Sequence, residues 1–448
     1  MRPCSCDSRG IGQTDPVTIF WPGDERAGAL MSPAALLTAM IRVEQVWLDG
    51  LVTAGIAPAR AAGRLTIGMA DADGLASAVA AGTEAGGNPV IPLTRWLRSM
   101  LEGDAALWVH RGLTSQDVMD TALALCLRDV LERVREELDT QILALAALAG
   151  EHRNTAMAGR TLTQHAVPTS FGLKVAQWLT ALLDARDALD RLPALKVQLG
   201  GAAGTLSAVL ELARGSGSAD PGRTVRGLLE GTADGLGLAW APPWHTARGP
   251  VTAAGDVLVG ACDAWGRIAR DVIVLGRPEI GELAEPSVAG RGGSSTMAQK
   301  QNPVLSVLIR RTALSAPQWG ATLHLAAAEA VDERPDGSWH TEWPALRSLS
   351  RATVSAAGQA SELLTGLRVD PHRMLVNLEA AGPAILAEQA SMRELSGSTP
   401  GSDPRDYLGL TGLLVDDVLQ RALTSAASTL PSAATAGSTL TSGGNRGS

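Results

Sequence analysis

At 448 residues the chain has room for about three ordinary domains, or for one large helical body with appendages. Hydrophobic residues make up 45%, but with only two Phe and one Tyr the core must be packed by Leu, Ala and Val, with eleven Trp as the bulky pieces. A net charge of −8 and the lack of a basic run with interleaved aromatics exclude a general nucleic-acid surface, and no apolar run approaches membrane-spanning length. No apolar signal core opens the chain, so a cytoplasmic protein is expected. Cys4, Cys6, Cys126 and Cys262 lack the paired spacing of a zinc site or a dense disulfide framework, so they are expected to be thiols and no metal is expected.

Residues 1–18 read as a loose tail, and residues 19–110 as a small N-terminal helical domain. Ser32-Pro33 starts one helix there and another runs near Leu93 to Leu101. From Leu113 to Ala149 there is neither Gly nor Pro, and apolar residues recur at spacings of three and four, which predicts one very long amphipathic helix. Further long helices are predicted after Pro168 towards Leu192, over Val251 to Leu275, from Pro303 to Ala330 and from Trp343 to Leu367. Helices of this length suit an elongated bundle, and residues 111–367 are assigned to it. Residues 368–423 read as a shortened C-terminal helical region, with Met392 to Asp406 loop-like and a short helix over Leu413 to Leu423. Residues 424–448 read as a disordered Ser/Thr/Ala/Gly tail. The expected fold is all-α, a long-helix bundle with small helical end domains.

The stretch with the most chemistry is Arg291-Gly292-Gly293-Ser294-Ser295-Thr296-Met297-Ala298-Gln299-Lys300-Gln301-Asn302-Pro303. Small residues free its backbone for close approach, while hydroxyls, an ammonium and an amide converge. The lysines of the chain are Lys174, Lys196 and Lys300, so a lysine in this loop stands out. Asn302 is a good N-cap and Pro303 a good first helical residue. The loop is therefore expected to open into a helix whose N-terminus favours an anion.

Gly293 to Pro303 resembles the signature G-S-S-x-M-P-x-K-x-N-P of the fumarase/aspartase superfamily, with Ala298 in place of the usual proline. Four further stretches carry the resemblance. Thr114-Ser115-Gln116-Asp117 resembles the family's T-S-x-D at the start of a long helix, although simple N-capping explains Thr114 equally. In Gly159-Arg160-Thr161-Leu162-Thr163-Gln164-His165, Leu162 stands where many relatives have a histidine that acts in proton transfer, and His165 follows three residues later. That pattern, with Trp339-His340-Thr341-Glu342-Trp343 after Arg334, resembles the 3-carboxy-cis,cis-muconate cycloisomerase branch. A buried core cluster is the alternative for the Trp339 stretch. Gln198-Leu199-Gly200-Gly201 resembles the family's Q-x-G-G turn, or is a plain tight turn between helices.

The resemblance implies an enzyme that makes or breaks a bond β to a carboxylate through an aci-carboxylate. It implies Ser294, His165 and Lys300 as catalytic residues. Substrate contacts are implied at Thr114, Ser115, Arg160, Thr161, Gln164, Gln198, Ser295, Met297, Asn302, Arg334 and His340. It implies no cofactor, a small polycarboxylate substrate, and a homotetramer with sites shared between subunits. Lactonisation of 3-carboxy-cis,cis-muconate in protocatechuate breakdown is the expected activity. Fumarate release from a substituted succinate of adenylosuccinate or nitrosuccinate type is a second possibility, and a non-catalytic scaffold of the same fold is a third.

Overall fold

A computed structural model describes residues 19–65, 69–297, 299–399 and 401–428. The tail assigned to residues 1–18, the stretch after residue 428 and the position of Ala298 lie outside them. The bundle is built on five long helices: Ser115–Glu151, Phe171–Arg191, Gly249–Leu275, Val304–Ala328 and Gly337–Thr365. The first has 37 residues, about 55 Å at 1.5 Å per residue. Ahead of them come Pro33–Thr53, Met69–Gly86, Val90–Met100 and Gly103–Trp108. Ser207–Gly215 and Pro221–Leu236 lie between the second and third long helices. One buried apolar cluster runs through the assembly, with Trp47, Trp178 and Trp265 among its largest fully buried side chains.

Local chemistry sets the helix starts. Ser32 Oγ accepts from the Ala35 amide at 3.1 Å ahead of Pro33, Ser170 Oγ accepts from Leu173 at 3.1 Å, and Asp370 Oδ1 accepts from Arg373 at 2.9 Å. The predicted start of the last long helix at Trp343 is two turns late, since it begins at Gly337 and carries Pro344 inside. Proline removes a helical N–H. Here the first turns are held from outside: Trp339 Nε1 donates to Asp120 Oδ1 at 2.8 Å and Glu342 pairs with Arg248.

Helices Gly249–Leu275 and Val304–Ala328 run antiparallel along a seam of small residues. A Cβ on Gly255 would lie 2.6 Å from Leu323 Cδ1, one on Gly320 3.0 Å from Val259 Cγ2, and one on Gly266 would collide with the Ala313 methyl. The residue numbers in these pairs fall on one side as they rise on the other, and the missing side chains let the backbones approach.

The C-terminal region is more helical than predicted. Ala387–Ser396 covers the start of the stretch read as loop, and Thr411–Ser428 runs past the expected tail boundary at residue 424. That last helix belongs to the bundle: Asp416 pairs with Arg153 at 2.6 Å, and Arg421 with Asp187 at 2.7 Å. A β-hairpin, Ala156–Thr161 with Gln164–Ser170, also went unpredicted.

A buried ion-pair cluster joins the start of the Gly249–Leu275 helix to two other long helices. Arg248, 2% exposed, donates to Asp120 Oδ2 at 2.6 Å and to Glu342 Oε2 at 2.5 Å, and its plane lies 4.9 Å from the Trp244 ring. Burial works against the Arg248 charge, but Asp120 and Glu342 outweigh it and hold the guanidinium protonated. Glu342 is pushed up by its own burial, with the pairing to Arg248 opposing that.

Two stability predictions follow from these packings. Gly266→Val should cost about 1–3 kcal/mol by overpacking the helix seam, read as a lower midpoint in urea. Arg248→Met leaves two buried carboxylates facing each other, and a loss of about 3–5 kcal/mol is expected, against an unchanged midpoint if the pair carried no structural load.

Candidate active site

Ser294 lies in the loop between Leu283–Ala284, a two-residue strand paired with Arg368–Val369, and the Val304–Ala328 helix. Its base is closed where the Gly292 carbonyl accepts from the Asn302 amide at 2.8 Å and from Asn302 Nδ2 at 3.0 Å. Gly292 has φ +74, and a Cβ there would lie 2.6 Å from the Asn302 carbonyl, so this crossing requires glycine. Half-buried Ser294 turns its Oγ back towards the amides of Thr296 and Met297, at 3.4 and 3.3 Å. Two N–H groups aimed at one hydroxyl oxygen stabilise its deprotonated form, which a serine base requires. Ser295, Met297 and Lys300 are exposed beside it, and Lys300 has no ion-pair partner among the described residues.

Two expectations for this loop need correction. Asn302 does not cap the following helix, which starts at Val304 with Pro303 in the N-cap position, and its Nδ2 turns back to the Gly292 carbonyl. The cap comes from Glu285, which accepts from the amides of Leu305 at 3.1 Å and Ser306 at 2.7 Å and from Ser306 Oγ at 2.6 Å. The predicted anion site at the helix N-terminus is therefore filled by the protein's own carboxylate.

The second region is the hairpin, whose two-residue loop is Leu162 and Thr163, with φ +47 and +71. Both conformations are unfavourable for these residue types. They present Leu162 at 95% exposure, with Thr161, Gln164 and His165 exposed around it. Arg160, expected to bind substrate, is instead committed within the chain. Its Nη2 donates to Glu282 Oε1 at 2.7 Å and its Nη1 to Oε2 at 3.1 Å, a two-pronged pair with a fully buried carboxylate.

The third region is a buried node on Asp117. Its Oδ2 accepts from the Thr114 and Gly201 amides, both at 2.9 Å, and its Oδ1 from Gly200 N at 2.9 Å, His245 Nε2 at 3.1 Å and Gln198 Nε2 at 3.2 Å. Thr114 occupies the N-cap position of the long helix, with Ser115 half-buried next to it. Gln198 is fully buried, and its Oε1 accepts from Trp244 N at 2.6 Å, so it has no group left for a substrate, contrary to expectation. The Q-x-G-G turn thus positions the Thr114 loop from behind.

The Trp339 stretch divides between roles. Trp339 and Glu342 are buried anchors, as the core-cluster alternative holds. His340 is exposed but engaged, with Nε2 2.7 Å from the Gly87 carbonyl and Nδ1 3.0 Å from that of Asp336. Arg334 is exposed on the preceding loop. Asp117, His245, Arg248 and Glu285 escaped the sequence reading. Of these only Asp117 had a signal, as the last residue of T-S-x-D, since the others gain meaning from partners far away in the chain.

Among the described residues, no hydrogen bond or ion pair joins the Ser294 loop to the hairpin tip or to the Thr114 loop. No group of three or more His, Cys, Asp or Glu side chains among them is placed to hold a metal ion, and no helix is long and apolar enough to cross a membrane. Cys126 and Cys262 are buried free thiols, each pushed up to about 12 by burial, and so unreactive at neutral pH.

Comparison with known proteins agrees with this architecture. A lyase family matches residues 88–316. A nitrosuccinate lyase of Streptomyces davaonensis is 44% identical over 368 residues, 81% of this chain and 77% of that protein. A 3-carboxy-cis,cis-muconate cycloisomerase of Bradyrhizobium diazoefficiens is 39% identical over 359 residues, 79% of this chain and 76% of that protein. The crystal structure of a 3-carboxy-cis,cis-muconate lactonizing enzyme from Pseudomonas putida superposes with a TM-score of 0.77 at 29% identity, covering 89% of this chain and 97% of that one. With the serine loop, the long-helix bundle and these relatives in agreement, the chain belongs to the lyase family of the fumarase/aspartase superfamily and is an enzyme of that superfamily.

Proposed function

We propose that the chain is a 3-carboxy-cis,cis-muconate cycloisomerase. The observation that carries this reading is Leu162. The hairpin presents a hydrocarbon where, by resemblance, many relatives present a histidine, so the chemistry must dispense with a protein acid there. Lactonisation does so, because the group that adds belongs to the substrate.

One substrate carboxylate oxygen forms the new C–O bond at the carbon β to a second carboxylate. The π pair of the double bond moves into that second carboxylate as an aci-carboxylate. Ser294 Oγ–H then delivers a proton to the α carbon, and the alkoxide left behind, facing the Thr296 and Met297 amides, is reprotonated from solvent. Lys300 offsets the charge of the intermediate, and Arg334, with Thr114 and Ser115, holds the remaining carboxylates. His165 stands beside Leu162 on the hairpin and is assigned to proton exchange with solvent. The three regions meet when copies of the chain assemble, with exposed Val307, Leu314 and Leu325 on the Val304–Ala328 helix supporting a homotetramer.

A second reading is supported by the 44% identical relative. In nitrosuccinate elimination Ser294 takes the proton α to a carboxylate, the aci-carboxylate collapses, and the C–N bond breaks with nitrite leaving as an anion. No acid is needed in that reaction either, so Leu162 fits both.

The two are separated by following loss of the conjugated diene of 3-carboxy-cis,cis-muconate and nitrite release from nitrosuccinate with the same enzyme. Diene loss is the expected result, while nitrite release alone assigns the elimination and silence in both leaves a scaffold. Ser294→Ala should abolish turnover while substrate binding stays within about tenfold, or 1.4 kcal/mol. Equal loss of both would make Ser294 an anchor. For Arg334→Lys a raised KM is expected, and an unchanged one removes this residue from the site.

A further inference from the structure

The N-terminal segment and the root of the serine loop share one carboxylate. Residues 20–31 are strapped across the last two long helices by arginines. The Arg311 guanidinium lies 3.8 Å from the Trp21 ring centre and donates to the Pro22 carbonyl at 3.1 Å. Arg351 donates to the Asp24 carboxylate at 2.7 Å and to the carbonyls of Leu30 at 2.7 Å and Gly28 at 3.1 Å. From this strap Arg26 reaches Glu362 on the Gly337–Thr365 helix, Nη2 to Oε2 at 2.6 Å. The other carboxylate oxygen, Oε1, pairs with Arg291 Nη1, also at 2.6 Å.

Arg291 directly precedes Gly292, whose carbonyl closes the loop base, and Ser294 follows two residues later. The downstream end of the loop is fixed by Glu285 at the helix start. Its upstream end is fixed to the bundle through Arg291 and Glu362, so this pair sets where the closed base at Gly292, and with it Ser294, is held. Burial tends to raise Glu362, but the hydrogen bond from Arg26 and the ion pairing with Arg26 and Arg291 outweigh it and hold the carboxyl below the usual glutamate range. It is therefore an anion at neutral pH, and each guanidinium has an oxygen of its own.

We propose that Glu362 is a positioning residue for Ser294, and that Arg26 supports it, so that the N-terminal strap takes part in catalysis through this shared carboxylate. The catalytic half of this proposal rests on the reading of Ser294 as the acid and base of the reaction. The structural half, that the strap orders the loop root, stands apart from it.

Both halves are tested in the full-length protein with Glu362→Gln, Arg26→Gln and the double variant. Hydrogen exchange is followed at the amides of Arg291 and Asn302, which bond to the Val288 and Gly292 carbonyls at 3.1 and 2.8 Å. Glu362→Gln should speed exchange at both amides by about tenfold or more while the Tm and the exchange of the Gly249–Leu275 helix stay unchanged. It should lower kcat by about tenfold to a hundredfold with a smaller change in KM, as expected when a reacting group is misplaced and binding is retained. Arg26→Gln should give part of both effects, and the double variant should be no worse than Glu362→Gln alone, because both changes act through one contact.

Unchanged exchange in Glu362→Gln overturns the proposal. Additive effects in the double variant overturn the part given to Arg26, and faster exchange with unchanged kcat limits Glu362 to loop order. If neither substrate class is turned over, the reading of Ser294 fails, and the exchange measurement still decides the link between strap and loop.

Discussion

A single guanidinium between two carboxylates holds the working end of this bundle together. Asp120 and Glu342 come from two long helices and Arg248 from the start of a third, and all three residues are buried. One positive charge facing two negative ones is a costly arrangement in a low-dielectric interior unless every hydrogen bond is made. Trp339 and Gln116 supply further donors to Asp120. One turn earlier on the same helix, Asp117 gathers five donors from the Thr114 loop, the Gly200 turn and His245. The start of the Ser115–Glu151 helix is thereby fixed to its surroundings by charge and not by packing alone, which sets the position of Thr114 and Ser115.

The serine loop follows a different plan. Its ends are tied by carboxylates from elsewhere in the chain, while its tip stays exposed. Because Glu285 fills the helix N-terminus, the helix dipole is spent on the protein itself. The groups near Ser294 that suit a negative charge are the loop's own amides and Lys300. A site of this kind is poised but open, which suits a reaction whose intermediate concentrates negative charge on one carboxylate.

The hairpin tip is apolar at Leu162. Holding Leu162 and Thr163 at positive φ is unfavourable for both residues, and it places a leucine almost fully in solvent in the isolated chain. A hydrocarbon at that tip cannot transfer a proton. Both proposed activities form or break the bond to the β carbon without one, which is what makes Leu162 compatible with them.

Sequence alone determined the helices and the chemistry of the loop. Long runs free of Gly and Pro with apolar residues at helical spacing leave little choice but a bundle, and the eleven residues from Gly293 to Pro303 carry their functional groups within one local turn. It could not reveal which polar side chains were already spoken for. Arg160, Gln198 and Asn302 each carry the right groups for a substrate, yet each has a partner inside the chain, Glu282, Asp117 with Trp244, and Gly292, although exposed Asn302 keeps its Oδ1 open. For two of the three the partner lies more than forty residues away, and hydrogen bonds over such distances have no signature in local spacing. The same holds for the capping of the Val304–Ala328 helix, where Asn302 fits the local rule but Glu285, just after a neighbouring strand, accepts two amides at once. Local pattern decides which structure a segment adopts, whereas only the packing of segments decides which of its polar groups remain free to act.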